Sequence, residues 1–486
     1  MSTSGPPGEV GTSPRTAVMT WRELEVSRST GLARKHLDLV IRAPRAIVAS
    51  KGDVARAIGI RAGRIVALDA LDAVLPADAE LQLTSDVVVL PGIVDSHVHV
   101  CEPGNTAWEG FESATRAAVA GGITTLVDMP VDSEPPTISV AALEAKKGAA
   151  AGQCHVDVGF WGGAVPDNLG TLETLREAGV LGFKCFMVSA GPKFPPLDVE
   201  GVERALRALR GLDCPLLVHA EDNEVVTSSP PRHGKKYSDF LGSRPRGSEN
   251  LAIAGVIEAA RRSGGHVHIC HLSSSDAVPM IESARREGVR VTAETCPHYL
   301  VINAEAIPDG ATTFKCSPPI REASNRELLW AGLKGGTIDL VVSDHSPCAP
   351  AMKRRESGDF ADAWGGISSI QFALPAVWTE ARTRHCSLAD LSRWMSAGPA
   401  ALAGLANKGS IALGKDADLV VFAPDETLVV DDTPLQQRHP GTPYDGRRLF
   451  GVVKQTFLRG KKADMLSPRG ELLSASLSLG EDAAGH

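Results

Sequence analysis

The sequence predicts an α/β protein: a (β/α)8 TIM barrel with a small β-sandwich domain built from both terminal segments. Three observations support this prediction. The chain has 486 residues, enough for a barrel of about 250–350 residues and a smaller companion domain. Its central part alternates apolar runs with helical patterns, which is typical of a parallel sheet. Both ends carry short strand-like segments. An open doubly wound sheet is the alternative, but no Gly-rich phosphate loop follows an early strand.

The predicted small domain has two parts that are far apart in the chain. Its first part is residues 37–90, where Gly63 suits a hairpin between two strands, and its second part is residues 409–463. Residues 1–36 are predicted to be a disordered tail, because their first segment is rich in Gly, Ser, Pro and Thr, and residues 464–486 a C-terminal tail. The predicted strands of this domain are 37–41, 58–60, 64–68, 410–414, 418–422 and 452–459.

The predicted barrel occupies residues 91–408. In a parallel barrel the carboxyl ends of the strands meet at one mouth, which is where enzymes of this fold place their chemistry. After the run 87–94, the predicted strands are 124–128, 156–159, 182–186, 216–219, 266–271, 290–294 and 339–343. The predicted helices are 108–120, 172–178, 202–210, 249–263, 275–287 and 325–333.

The overall composition argues against several classes of partner. A net charge of -8 offers no broad cationic surface for nucleic acid or an anionic membrane. The longest apolar runs fall far short of the roughly 18 residues needed to cross a bilayer. The N-terminus lacks the apolar core of a secretory signal. Nine scattered cysteines without Cys-x-x-Cys spacing favour a reducing compartment. We therefore expect a cytoplasmic protein, although no feature of the sequence excludes an organelle.

The sharpest chemical feature is the segment Asp95-Ser96-His97-Val98-His99, directly after an apolar run. Residues two apart face the same side of a strand, so His97 and His99 can reach one metal ion together. A polar strand face without a metal is the alternative for an isolated pair of this kind. Further candidate ligands at the ends of later strands favour the metal site: Lys184, His219, His271 and Asp344.

Lys184 is unusual among these candidates because a protonated ammonium has no lone pair and repels a dication. Carboxylation of the amine by CO2 would convert it into an anionic carbamate, whose two oxygens could bridge two metals about 3.5–4 Å apart. A salt-bridged or snorkelling lysine is the alternative. His298 and His345 could support the site or contact a substrate, and a packing role suits either equally well.

Six motifs in the same order resemble those of the cyclic amidohydrolases, a group that contains dihydropyrimidinases, dihydroorotases and allantoinases. The motifs are Pro91 to His99, Gly182-Phe183-Lys184, His219-Ala220-Glu221, His271-Leu272-Ser273-Ser274, Ser317 to Arg321 and Ser343-Asp344-His345. The resemblance implies a homotetramer, two divalent metal ions, for which Zn²⁺ is expected, and a carbamate on Lys184. It also implies that Asp344 is the general acid/base. The implied ligands of the first metal are His97, His99 and Asp344, those of the second are His219 and His271, and Lys184 bridges both.

Small differences between members of this group favour a ring-opening reaction on allantoin. Dihydroorotases typically have Arg and Asn at the positions of Cys101 and Ser317, and dihydropyrimidinases a tyrosine soon after the bridging lysine, which is absent here. Allantoinases are better matched, for example by Glu102-Pro103-Gly104, with departures at Cys101 and Asn105. A hydantoinase acting on another cyclic amide and a non-catalytic scaffold protein are the alternatives. The candidate substrate-binding residues are Cys101, Asn105, Cys316 and Ser317.

Overall fold

The computed structural model describes residues 20–23, 36–430 and 435–475. Its centre is a barrel of eight parallel strands, each paired with its neighbour. The barrel closes where the backbone N–H of His99 donates to the carbonyl of His345 at 2.8 Å. The predicted barrel is thereby confirmed. Its strands, in order, are Ile93–Val98, Ile123–Asp128, Asp157–Phe160 continued by Gly162–Gly163, Phe183–Phe186, Leu216–His219, Val267–Ile269, Val291–Thr295 and Leu340–Val341.

The barrel strands are short and almost entirely buried, as parallel strands covered on both faces are. Two of them are only about half as long as the sequence predicts, or less. The sixth strand ends at Ile269, and His271 then adopts a φ of 32°. The eighth ends at Val341, and Asp344 has a φ of 45°. This left-handed backbone is uncommon for residues other than glycine, and it turns the chain at the points where the two candidate ligands stand.

Helices surround the barrel, and the sequence analysis missed several of them. Ala373–Thr383 was missed because its first six residues are all buried, so no amphipathic pattern is present. Val140–Ala150 is rich in alanine and begins at Ser139, whose side chain accepts from the backbone N–H of Ala142. The described α-helices are Phe111–Ala120, Val140–Ala150, Leu172–Glu177, Val199–Ala208, Asn223–Ser228, Tyr237–Ser243, Arg246–Ser263, Val278–Arg286, Pro297–Val301, Ala323–Gly335, Ala373–Thr383, Leu388–Ser392 and Gly398–Leu402.

The small β-sandwich domain contains strands from both ends of the chain around one apolar core. Val88–Pro91, which leads into the barrel, pairs antiparallel with Leu419–Val429 and so joins the two parts. The hairpin at Gly63 is present, with a φ of 77°. The predicted strand 410–414 is reduced to an isolated bridge from Ile411 to Val48. The strands are Thr20–Glu23, Leu37–Val48, Gly52–Arg61, Arg64–Asp69, Ala77–Gln82, Val88–Pro91, Leu419–Val429, Arg448–Leu458 and Lys461–Lys462.

Parts of both predicted tails belong to the fold. Thr20–Glu23 adds a strand beside Ala77–Gln82. At the other end, the described part of 464–486 runs along the third barrel strand, where Val158 donates to the carbonyl of Glu471 at 2.9 Å. The remaining tail residues lie outside the described part of the chain. Within the described part, no helix has the length and apolar character needed to cross a bilayer.

A buried network of charges joins the barrel to the small domain. The Lys408 ammonium lies 2.5 Å from Asp157 on the third barrel strand, 2.9 Å from Asp416 and 2.7 Å from Asp418. The Arg459 guanidinium donates to both oxygens of Asp157 at 2.5 Å. Lys408 is therefore the common counter-ion of three carboxylates, two of them in the connection to the small domain.

Replacing Lys408 with Met is expected to lower the free energy of unfolding by about 3–5 kcal/mol, because buried carboxylates lose their counter-ion. Chemical unfolding in urea measures this loss. The control is Lys454→Met, which removes a partly exposed ion pair with Glu426 and should cost no more than about 1 kcal/mol. Equal losses in the two variants would contradict the role of the network.

Candidate metal centre

Three of the predicted ligands form one tight group at the mouth of the barrel. Nε2 of His97 lies 3.3 Å from Oδ1 of Asp344, and Nε2 of His99 lies 3.5 Å from the same oxygen. All three side chains are buried, and their ligand atoms lie within 4.8 Å of one another. The first and eighth strands, which meet where the barrel closes, deliver them. Two imidazoles and a carboxylate at this separation suit one divalent cation.

The other predicted ligands lie beside this group. The rings of His219 and His271 are 4.5 Å apart between centroids, and the His271 ring is 5.3 Å from that of His97. Lys184 projects from the fourth strand, with its side chain fully buried. All six predicted ligands line one cavity of about 370 Å³. The structure thus brings together the whole set that the sequence predicts.

Carboxylates behind the imidazoles orient them. Nδ1 of His97 is hydrogen-bonded to Glu294, Nδ1 of His99 to Asp132 at 2.8 Å, and Nε2 of His219 to Glu221 at 2.7 Å. In each ring the opposite nitrogen is left for a metal, as is usual where carboxylates support metal-binding histidines. The sequence analysis missed Glu294 and Asp132 because neither follows a ligand at a recognisable spacing. Glu221 was missed although it stands two residues after His219.

The protonation states in this cluster suit cation binding. Burial lowers the pKa of three histidines, which therefore keep a lone pair for a metal: His97, His219 and His271. Burial also lowers the pKa of His99, but Asp132 and Asp344 outweigh this and raise it to about 9. His99 is the exception in the cluster, because its ring must release a proton before it can bind a cation. Burial alone would raise the pKa of Asp344, yet the neighbouring imidazoles hold it below its usual range. Asp344 is accordingly an ionised carboxylate next to several nitrogen donors.

Lys184 provides a further test of whether the residues fit a metal centre. Its ammonium has no oxygen acceptor within the described ranges, and Nζ lies 5.0 Å from the centroid of the Phe186 ring. Burying an ammonium without a partner costs several kcal/mol. Nδ1 of His271 is likewise buried without a hydrogen bond. Both observations fit a site that binds cations and in which Lys184 is chemically modified.

The structure separates the four candidate substrate-binding residues into two pairs. Cys316 and Ser317 line the cavity. Cys101 and Asn105 are absent from its lining: the Cys101 thiol donates to the carbonyl of His99 at 3.5 Å, and the Asn105 amide donates to the carbonyl of Asp132 at 2.8 Å. The second pair lies behind the ligands and holds the loop that orients His99. The lining residues that sequence reasoning missed include Phe186, Val188, Ser189, Arg244, Ser346, Trp364, Gly365 and Gly366.

The two other histidines singled out in the sequence, His345 and His298, have different surroundings. His345 is fully buried, with Nε2 at 3.3 Å from Glu109 and Nδ1 accepting from the backbone N–H of Ser369 at 3.1 Å. These contacts support the backbone next to Asp344. His298 is also fully buried, but neither of its ring nitrogens has a hydrogen-bond partner among the described residues. Neither histidine lines the metal cavity.

Comparisons with known proteins agree with this geometry. Residues 88–462 match the family described as the Amidohydrolase family. The allantoinase of Streptomyces avermitilis is 53% identical over 90% of this chain and 99% of its own length. The allantoinase of Saccharomyces cerevisiae is 47% identical over 78% of this chain and 84% of its own. The allantoinase of Arabidopsis thaliana is 46% identical over 77% of this chain and 77% of its own.

Solved structures resemble the whole described fold. The L-hydantoinase (dihydropyrimidinase) of Arthrobacter aurescens superposes with a TM-score of 0.84 at 28% identity, covering 90% of this chain and 100% of that one. A D-hydantoinase superposes with a TM-score of 0.81 at 26% identity, covering 90% and 98% of the two chains. Membership of this family implies the use of divalent metal ions. The chain therefore belongs to the amidohydrolase family and, within it, to the group that contains the allantoinases.

Proposed function

We propose that this protein hydrolyses the hydantoin ring of allantoin to allantoate, using two divalent metal ions, for which Zn²⁺ is expected. The observation that carries the proposal is the convergence of all six ligand candidates on one cavity at the barrel mouth. The names of its most similar relatives supply the substrate. In this proposal His97, His99 and Asp344 would hold one metal, His219 and His271 would hold the other, and Lys184, as a carbamate, would be a ligand of both.

When bound, the two cations would supply a water of lowered pKa and would polarise the amide carbonyl. Asp344 acts as the general base and then as the general acid. Its carboxylate takes a proton from the attacking water and passes it to the leaving ring nitrogen. A carbon–oxygen bond forms, the carbon–nitrogen bond of the ring breaks and the leaving nitrogen gains an N–H. The second proton of the water is lost to solvent as the new carboxylic acid ionises. No nucleophilic side chain is required.

The shape of the cavity supports a small cyclic substrate. Its volume of about 370 Å³ lies in the range of small-molecule sites. Ser189, Val188 and Gly191 line the wall that follows Lys184. No tyrosine occupies that wall, so the cavity does not provide the phenolic donor of the dihydropyrimidinase pattern. Ser317 and Cys316 stand on another side, where their backbone could hold the amide of the ring.

Two other readings make different predictions. A hydantoinase of broad specificity would share every metal ligand, and structural neighbours carry that name. A non-catalytic scaffold would be expected to have lost ligands, whereas all six are present and converge. We further propose a homotetramer, as the resemblance implies, and a cytoplasmic location, which the scattered cysteines favour.

The test is a side-by-side hydrolysis assay of allantoin, hydantoin, dihydrouracil and dihydroorotate with metal- and bicarbonate-supplemented protein. Metal content is quantified on the same sample. Preferred hydrolysis of allantoin with about two metals per chain is expected. Preference for hydantoin or dihydrouracil would assign the protein to the hydantoinases. Absence of both metal and turnover would leave the scaffold reading.

A further inference from the structure

A second cavity of about 200 Å³ opens beside the metal cavity. The two cavities adjoin, because Arg244, Ser317 and Gly365 line both. The second cavity, called the side cavity here, is completed by Val226, Pro231, Phe240, Ser243 and Lys315. The side cavity is therefore the immediate neighbour of the metal centre.

The charged side chains that line the side cavity are all positive. Its lining contains two cationic side chains, Arg244 and Lys315, and no acidic one among the described residues. The Arg244 guanidinium is already bound to Glu221, which in turn holds His219. Lys315 has no ion pair in the part of the chain that the structure describes. Its ammonium lies 5.2 Å from the centroid of the Phe240 ring.

Among the described residues, Lys315 donates hydrogen bonds to backbone oxygens. Nζ donates to the carbonyls of Ala361, at 3.3 Å, and Ala363, at 2.6 Å. Burial lowers the pKa of Lys315 to about 8, and the positive charges of Arg244 and Lys353 outweigh the opposite effect of Asp359 and Asp362. A half-buried ammonium without a direct ion pair is stabilised by an anion placed next to it.

The reaction supplies such an anion. Opening a neutral cyclic amide with water creates a carboxylate where the substrate had none. We propose that the side cavity binds the carboxylate of the ring-opened product through Lys315 and Arg244 as the product leaves the metal centre. This inference rests on the proposed function, because it takes allantoate as the ligand. The attraction acts on the charged product far more than on the neutral substrate, so it favours release from the metals and makes product inhibition depend on ionic strength.

The experiment measures product inhibition by allantoate and the KM for allantoin on metal-loaded protein, at low and high salt. In the Lys315→Met variant we expect the inhibition constant of allantoate to rise about ten-fold or more, with the KM for allantoin changed less than about three-fold. Lys315→Arg retains the charge and should stay close to the unaltered protein. High salt should weaken product inhibition in the unaltered protein and have little effect on Lys315→Met.

Lys353→Met is the matched control. Lys353 is another buried ammonium that donates to carbonyls of the same wall, those of Trp364 and Gly366 and, at 3.4 Å, that of Lys315 itself. It therefore supports the same backbone, but it does not line the side cavity. Loosening of the wall would affect both methionine variants alike, whereas loss of an anion site affects Lys315→Met alone. An equal rise in both variants, or an unchanged constant in Lys315→Met, would overturn the inference. If the unaltered protein does not hydrolyse allantoin, the proposed function is wrong. In that case allantoate is not its product, and this inference is wrong as well.

Discussion

The Asp344→Asn variant is expected to lose about two to four orders of magnitude in turnover, the range that positioned proton transfer contributes. The amide has nearly the shape of the carboxylate, but it cannot take the proton of the attacking water. The 3.3 and 3.5 Å distances from Oδ1 to His97 and His99 place this carboxylate at the centre of the candidate site. Steady-state hydrolysis of allantoin, with metal content measured on each sample, checks the prediction.

A matched control is available on the same strand. Asp339 stands next to the opposite end of the eighth strand, where its carboxylate accepts from the backbone N–H of Ala293 at 2.8 Å and from Arg285. Asp339→Asn should keep turnover within about three-fold, because it changes a hydrogen bond far from the mouth. Near-normal activity of Asp344→Asn would show that another group moves the proton.

Replacing Lys184 with Ala is expected to abolish turnover and to reduce bound metal. Without the lysine the proposed carbamate cannot form, so the two proposed cations would lack the anion that reduces their mutual repulsion. Short-chain carboxylic acids should partly restore both properties, because they can occupy the vacated space as a substitute anion. Metal analysis and activity measured across a series of such acids test this.

The buried Lys146 provides the contrast for this experiment. Its ammonium lies 2.5 Å from Asp128 and donates to the carbonyl of Met129 at 3.0 Å. Lys146→Ala leaves Asp128 unpaired, so we expect a loss of about 3–5 kcal/mol in stability that no carboxylic acid repairs. Lys184→Ala removes an ammonium without an acceptor, so the metal-free protein should lose much less. An unchanged metal content in Lys184→Ala would count against the bridge.

The sequence predicted the candidate ligands because their positions follow from one rule of the fold. Side chains at the carboxyl ends of parallel strands share one mouth, so His219, His271 and Lys184 could be placed together without coordinates. Glu294 could not, since an acidic residue inside a strand gives no sign that it holds the His97 ring. Cys101 shows a different limit. Its φ of 64° turns the thiol towards the carbonyl of His99, and no sequence spacing predicts that backbone conformation.

The fold was predictable for similar reasons, and there are physical causes for the elements that the sequence did not predict. Apolar strands between amphipathic helices are evident in the sequence, whereas the buried helix Ala373–Thr383 lacks a periodic pattern. The described part of the predicted C-terminal tail pairs with the third strand through backbone atoms, which side-chain patterns do not report. The cationic side cavity depends on segments from three separate regions of the chain, so only coordinates bring Lys315 next to Arg244.

The pairing of Val88–Pro91 with Leu419–Val429 has a consequence for biosynthesis. The two strands are separated by roughly 330 residues. One edge of Val88–Pro91 pairs with the earlier strand Leu37–Val48, but its other edge must wait unpaired while the ribosome makes the entire barrel. During that interval the nascent chain exposes the open edge of an apolar sheet, which is a site for wrong pairing with other chains. Slow translation or early termination within the barrel should therefore promote aggregation, and the last strands to emerge are the ones that end this exposure.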